Sequence, residues 1–221
     1  YVGTQYCGWQ KQKRPASAAE AALVEAKGIQ EVFEATLQKI TSEPKISAVG
    51  SGRTDSGVHA LGQIAHFVLK QKEWNPIVLR KALNSLLPLD IRVLEIKSVA
   101  LDFHAQRSAK KKQYSYYFQQ GPCALPFWLP YSWWIQKNLD QASMNQALEA
   151  LKGEHDFKPF QASGAKPGPT VRTILEAEVK WEPMPFFQIF HDSESKYGGR
   201  ALGPNAMGCL RLRIVGTGFL K

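Results

Sequence analysis

Residues 50–67 read Gly50-Ser51-Gly52-Arg53-Thr54-Asp55-Ser56-Gly57-Val58-His59-Ala60-Leu61-Gly62-Gln63-Ile64-Ala65-His66-Phe67. The short apolar run Ile46 to Val49 precedes this stretch, and it merges into a second run, Gln63 to Leu69. The order predicts strand, loop, strand. Its glycines admit backbone angles that other residues resist. The loop lacks the Gly-Lys-Ser/Thr ending of a phosphate-binding P-loop, and Asp55 stands where the third glycine of a dinucleotide fingerprint would fall. What remains is an acid two residues from an arginine. A carboxylate beside a guanidinium keeps its charge, and an ionised aspartate held in place serves as nucleophile or base. An ordinary Asx turn with a surface ion pair would spell the same letters, so the local pattern leaves both readings open.

Outward from this loop, Ile29, Val32, Phe33, Leu37 and Ile40 recur at three- and four-residue spacing and predict a helix over Gly28 to Ile40. The stretch Lys11 to Lys27 has little apolar period and reads as an inserted loop or a small exposed helix. Asn75 as cap and Pro76 in the first turn open a second helix that stops near Pro88, and Ile91 to Ile96 reads as a strand. Gln113 to Phe118 alternates, with Tyr114, Tyr116 and Phe118 on one face and Gln113, Ser115 and Tyr117 on the other. Pro122, Pro126 and Pro130 punctuate an aromatic connection, which places a domain boundary after residue 121. Asp140 caps a helix carrying Met144, Leu148 and Leu151 that Gly153 ends. Val171 to Trp181, Phe186 to Phe190 and Leu210 to Val215 read as strands, with a Gly- and Ser-rich loop from His191 to Gly208. The predicted class is α+β: domains 1–121 and 122–221, each a mostly antiparallel sheet with helices on one face.

Composition narrows the partners. The 221 residues carry 28 Lys and Arg against 19 Asp and Glu, a net charge of +9, which favours a polyanion and first of all nucleic acid. Cys7, Cys123 and Cys209 lie far apart with neither CxxC nor zinc spacing, so they read as reduced thiols of a cytoplasmic protein. No apolar run reaches the length of a membrane span. His59, His104 and His155 lack ligand spacing and a nucleophile partner, and read as structural. The opening Tyr-Val-Gly-Thr is not a signal peptide and lacks an initiator Met, which implies residues upstream.

Gly50 to Ala60, continuing through Gly62-Gln63-Ile64-Ala65-His66-Phe67, closely resembles the active-site motif of the TruA family of tRNA pseudouridine synthases. Further matches follow in the family's order. Tyr1-Val2-Gly3-Thr4, Tyr6 and Gly8-Trp9-Gln10 resemble its opening strand and loop, and Gly28-Ile29-Gln30 the start of its first helix. Asp102-Phe103-His104-Ala105, Ser108-Ala109 and Tyr114-Ser115-Tyr116 resemble its second block. Gly153 to Phe157, Thr170 to Ile174 and Gly216 to Leu220 resemble signatures of the second domain. The sequence departs from the family at Val2, where Asp is usual, and in longer stretches after Gln10 and around Gly198.

The resemblance implies isomerisation of uridine to pseudouridine in the anticodon stem-loop of tRNA, without cofactor or metal, by a homodimer whose two domains flank a basic cleft. It implies Asp55 as the catalytic carboxylate, with three chemistries open: attack on C1′, addition to the uracil ring, or proton abstraction from the ribose. Arg53 matches the arginine associated with the aspartate and the flipped nucleotide, and Tyr114 the tyrosine that stacks on the target base. Lys110, Lys111, Lys112 and Arg107 are candidate phosphate contacts, as more weakly are Lys11, Lys13 and Arg14. The family continues past Gly-Phe-Leu into a Met-Val-Arg helix whose arginine pairs with the aspartate, so a chain ending at Lys221 is expected to be truncated, with little activity. Two other readings stay open: an RNA-binding protein without catalysis, and a synthase of this fold acting on another RNA.

Overall fold

The computed structural model describes residues 1–12, 27–161, 168–183 and 208–219. The chain divides into two compact units, Tyr1–Ala109 and Lys110–Lys221. The division falls twelve residues before the proline-rich connection that the sequence suggests, because strand pairing, and not punctuation by proline, decides which unit Lys112–Gln120 joins.

The first unit holds helices α1 (Ile29–Thr41) and α2 (Pro76–Leu86) and a two-stranded antiparallel ladder of β1 (Val49–Gly50) and β2 (Ala65–His66). Asn75 caps α2 as its sequence predicts, its Oδ1 accepting from the N–H groups of Ile77 at 2.9 Å and Val78 at 3.3 Å. The apolar stripes of both helices meet Tyr6, Trp9, Ile46, Ala48, Leu87 and Ile91 in one core, with Leu37 and Leu83 fully buried. Two expected strands are absent here. Ile91 to Ile96 is extended, but side chains of α2 meet its backbone. The Asn84 amide donates to Val93 O at 2.8 Å and accepts from Val93 N at 2.8 Å, while Arg80 donates to Leu94 O. Tyr1 to Trp9 likewise forms isolated bonds and no ladder.

The second unit is built on a five-stranded sheet of order β4-β3-β7-β6-β5, from β3 (Lys112–Gln120), β4 (Trp133–Ile135), β5 (Gly153–Asp156), β6 (Val171–Pro183) and β7 (Gly208–Gly216). Among the described residues, only the β3–β4 pair of this sheet is parallel. Helix α3 (Gln141–Glu149) covers one face, its Leu148 and Met144 packing with Phe118, Val179 and Leu210. Asp140 caps it, accepting from Ser143 Oγ at 2.5 Å, Ser143 N at 3.2 Å and Ala142 N at 2.9 Å, and these bonds, the hydroxyl's first, hold its carboxyl below the usual range. The expected alternation of β3 is present: Tyr114, Tyr116 and Phe118 face Ile214, Leu212 and Leu210 across the ladder. The expected strand Phe186 to Phe190 and the loop after it lie outside the described residues. The molecule is thus mixed α+β with one mostly antiparallel sheet, and the other sheet is reduced to two residues per strand.

Candidate active site

The loop 51–64 leaves β1 and returns to β2, and its neck is closed by side chains as well as by the ladder. Ser51 N donates to Ile64 O at 2.7 Å, Ser51 Oγ donates to Gln63 Oε1 at 2.9 Å, and Gln63 Nε2 donates to Gly52 O at 2.6 Å. At its far end Val58 N reaches Asp55 O at 3.2 Å, closing a β-turn whose third residue, Gly57, has φ +77°. A turn of this kind needs a residue that accepts positive φ at that place, which accounts for the glycine.

Along its length the loop is gripped by residues 1–9. Trp9 N donates to Thr54 O at 3.1 Å, Gly57 N to Tyr6 O at 3.2 Å, and Gly3 N to His59 Nδ1 at 3.1 Å. Gly8, at φ +96°, lies so close that a Cβ there would come within 2.2 Å of Thr54 O and 2.9 Å of Asp55 C. Gly3 is equally tight, 2.1 Å from Val58 O. The same segment ties the loop to α1, whose first N–H groups, at Ile29 and Gln30, donate to Gly8 O and Trp9 O at 3.0 and 2.9 Å. Two polar anchors complete the frame. Tyr6 Oη donates to Asp90 Oδ1 at 2.7 Å, and burial together with this bond pushes the phenol above its ordinary range. The buried Glu34 accepts from Ala48 N and Gln30 Nε2, both at 2.8 Å, and fixes the entry to β1.

On this frame Arg53 and Asp55 are both exposed, with the half-buried Thr54 between them. Arg107 is exposed in the compact turn 101–108, where its N–H donates to His104 Nδ1 at 3.3 Å; that turn is pinned to β2 by Ala105 N donating to His66 Nδ1 at 3.1 Å. Lys110 and Lys111 are exposed and Lys112 is half-buried at the start of β3. Tyr114 is half-buried, its ring edge-on to Phe219 with centroids 4.7 Å apart. Phe219 also lines an apolar cavity of about 210 Å³ with Leu151, Phe157, Phe160, Ile174 and Ile214. Arg53, Asp55 and Arg107 thus belong to the first unit, and the three lysines and Tyr114 to the second. Lys11 is exposed, with its N–H donating to Gln30 Oε1, and Lys13 and Arg14 lie outside the described residues.

Other charged side chains are engaged with each other. On the sheet face opposite α3, Arg213 meets Glu176 at 2.6 Å and Glu178 at 3.5 Å, Arg211 meets Glu182 at 2.8 Å, and Lys180 meets Glu178 at 2.7 Å. The Lys180 ammonium beside Glu178 holds that carboxyl below the usual range. The three histidines read as structural bond to backbone: His59 and His104 as above, and His155 Nε2 to Lys152 O at 2.8 Å. Among the described residues no three His, Cys, Asp or Glu side chains converge as metal ligands, and no helix is long and apolar enough to cross a membrane.

The family model described as tRNA pseudouridine synthase matches residues 1–106 and 147–221. The chain belongs to this family. Its relatives include the tRNA pseudouridine synthase A of Thermoanaerobacter sp. (strain X514), 38% identical over 183 residues, which are 81% of this chain and 68% of the relative. The enzyme of the same name from Lacticaseibacillus casei (strain BL23) is 40% identical over 184 residues, 83% of this chain and 70% of the relative. That of Streptococcus equi subsp. equi (strain 4047) is 38% identical over 190 residues, 86% and 72% respectively. The family match takes in Arg53 and Asp55, whereas Arg107, Lys110, Lys111, Lys112 and Tyr114 fall between its two matched stretches.

Proposed function

We propose that this chain is an isomerase that converts uridine to pseudouridine in the anticodon stem-loop of tRNA, with Asp55 as its catalytic carboxylate. The observation that carries this reading is the loop Arg53-Thr54-Asp55 of a tRNA pseudouridine synthase, held by residues 1–9 and α1 with its acid presented at the surface. A protein that only bound RNA would gain nothing by presenting a carboxylate to phosphates, so this loop favours the enzyme over a non-catalytic binder.

The C1′–N1 bond breaks, the uracil turns, and a C1′–C5 bond forms, with the C5 proton passing to solvent and N1 taking up a proton. Asp55 is the carboxylate assigned to this exchange, by attack on C1′, addition to the ring or proton abstraction from the ribose. A stacked base is out of reach, so the nucleotide must be flipped at a cost of a few kcal/mol. Stacking on Tyr114 would return about 1–3 kcal/mol, enough to offset most of that. Arg53 is assigned to the aspartate and the flipped nucleotide. Lys110, Lys111, Lys112 and Arg107 are assigned to phosphates, because the cations on the β6–β7 face already have carboxylate partners. Replacing Lys111 by Ala should weaken binding to every tRNA alike and lower the salt slope by about 1. The protein acts as a homodimer in the cytoplasm, where its substrate is.

Mapping pseudouridines in tRNA from cells lacking the protein tests the reading. Loss of anticodon stem-loop pseudouridines, restored by the full-length chain, is expected. An unchanged map there, with loss in another RNA, would move the assignment to a synthase of different target.

A further inference from the structure

Asp55 must be held to a fraction of an ångström to act, and both it and Arg53 are exposed. The residue between them is held from two sides. Thr54 O accepts the Trp9 N–H at 3.1 Å, and Thr54 Oγ1 lies 2.8 Å from Tyr1 Oη in a hydroxyl–hydroxyl hydrogen bond. Tyr1 reaches the other end of the loop as well. Its backbone N donates to Ala60 O at 2.7 Å, and its carbonyl accepts from Ala60 N at 3.0 Å. One residue therefore spans Thr54 to Ala60 as a strut, with Asp55 between its two points of attachment.

Packing does not require these hydroxyls. The Tyr1 ring lies against Trp9, centroids 6.3 Å apart and planes 28° from parallel, and a phenylalanine would fill that place. Trp9 is in turn wedged over Gly50, where a Cβ would come within 2.7 Å of the indole. A valine would match the shape of Thr54. The two oxygens meet each other on the residue immediately before Asp55.

We propose that Tyr1 and Thr54 are positioning residues for Asp55, joined by one hydrogen bond that fixes the carboxylate for catalysis. The proposal rests on the reading of Asp55 as the catalytic group. Neither residue is assigned a contact with RNA, so the bond acts on kcat and leaves tRNA affinity alone.

The test is steady-state kinetics on the full-length chain with transcribed tRNA, on Tyr1→Phe, Thr54→Val, the double variant and Thr54→Ser. Each single deletion should lower kcat about tenfold, part of the 10²-fold that a displacement of ~1 Å costs. KM and tRNA Kd should stay within about twofold, as expected where no binding contact is lost. The double variant should match the singles, because both remove the same bond. Thr54→Ser, which keeps a hydroxyl, should recover kcat to within about threefold of the parent. Additive losses, unchanged kcat in the singles, or a Thr54→Ser rate no better than Thr54→Val would overturn the proposal. A purely structural role would lower Tm and the active fraction while leaving kcat per active molecule intact. With Asp55→Asn run alongside, an inactive Asn variant beside fully active Tyr1→Phe sinks this inference alone, whereas an active Asn variant sinks the underlying reading.

Discussion

Two asparagines do the same job in different surroundings. Asn84 of α2 brackets Val93, and Asn145 of α3 brackets Val179, each side chain donating to the valine carbonyl and accepting from its N–H at 2.8–2.9 Å. Val179 also lies in a strand laddered to β7, so Asn145 seals an edge that is already supported. Val93 has no ladder, and Asn84 with Arg80 supplies what a neighbouring strand would. Beyond its helices and two-residue ladder, the first unit is held by side-chain brackets and isolated backbone bonds, whereas the second rests on regular pairing. A bracketed frame fixes one loop in one shape, which would suit the catalytic role proposed for loop 51–64. A ladder supplies a stiff platform, which would suit the stacking role proposed for Tyr114.

The contrast can be broken at four points. In the sheet, Leu210→Ala removes a fully buried partner of Phe118 and Val179 and should cost about 2–5 kcal/mol by denaturant unfolding, while the molecules that remain folded keep their activity. In the loop frame, Gly8→Ala places a Cβ against Thr54 O at a positive φ, and should cut kcat by about 10²-fold or more through displacement of Asp55. Asn84→Ala strands two backbone groups and should cost about 1–3 kcal/mol, and Asn145→Ala less, because Val179 O also accepts from Gln141.

The smallest effect concerns pH. Burial pushes the Cys209 thiol up to about 11, and the Tyr6 phenol is raised as well. Both folded values exceed the unfolded ones, so their stabilisation is complete below the ordinary thiol and phenol values and is lost as pH rises through the folded values. The unfolding midpoint should be insensitive to both groups from about pH 6 to 8 and fall above about pH 9. At pH 8 a thiol reagent should label the exposed Cys123 at once and the buried Cys209 only on unfolding.

Legibility in the sequence followed the same divide. Helices α1, α2 and α3, their caps at Asn75 and Asp140, and the alternation of β3 were all readable, because each depends on period or on one capping residue. Ile91 to Ile96 reads as a strand and is not, since an apolar run does not reveal whether a strand or a side chain will meet its backbone, and the opening strand that the resemblance implies within residues 1–10 forms no ladder. The loop 51–64 was recognisable as a motif, but its frame was not. Glu34 and Asp90 are ordinary polar letters until the fold brings each to a backbone group or a hydroxyl elsewhere in the chain. Gly3 and Gly8 gave a partial signal, as glycines in a segment with no turn to explain both.

The most direct test of Asp55 is tritium release from tRNA labelled at C5 of uridine, measured on full-length parent and Asp55→Asn with tRNA binding in parallel. Release by the parent, and a loss of about 10²–10⁴-fold or more in the variant at unchanged affinity, is the predicted result. Release by Asp55→Asn at the parent rate would contradict the account.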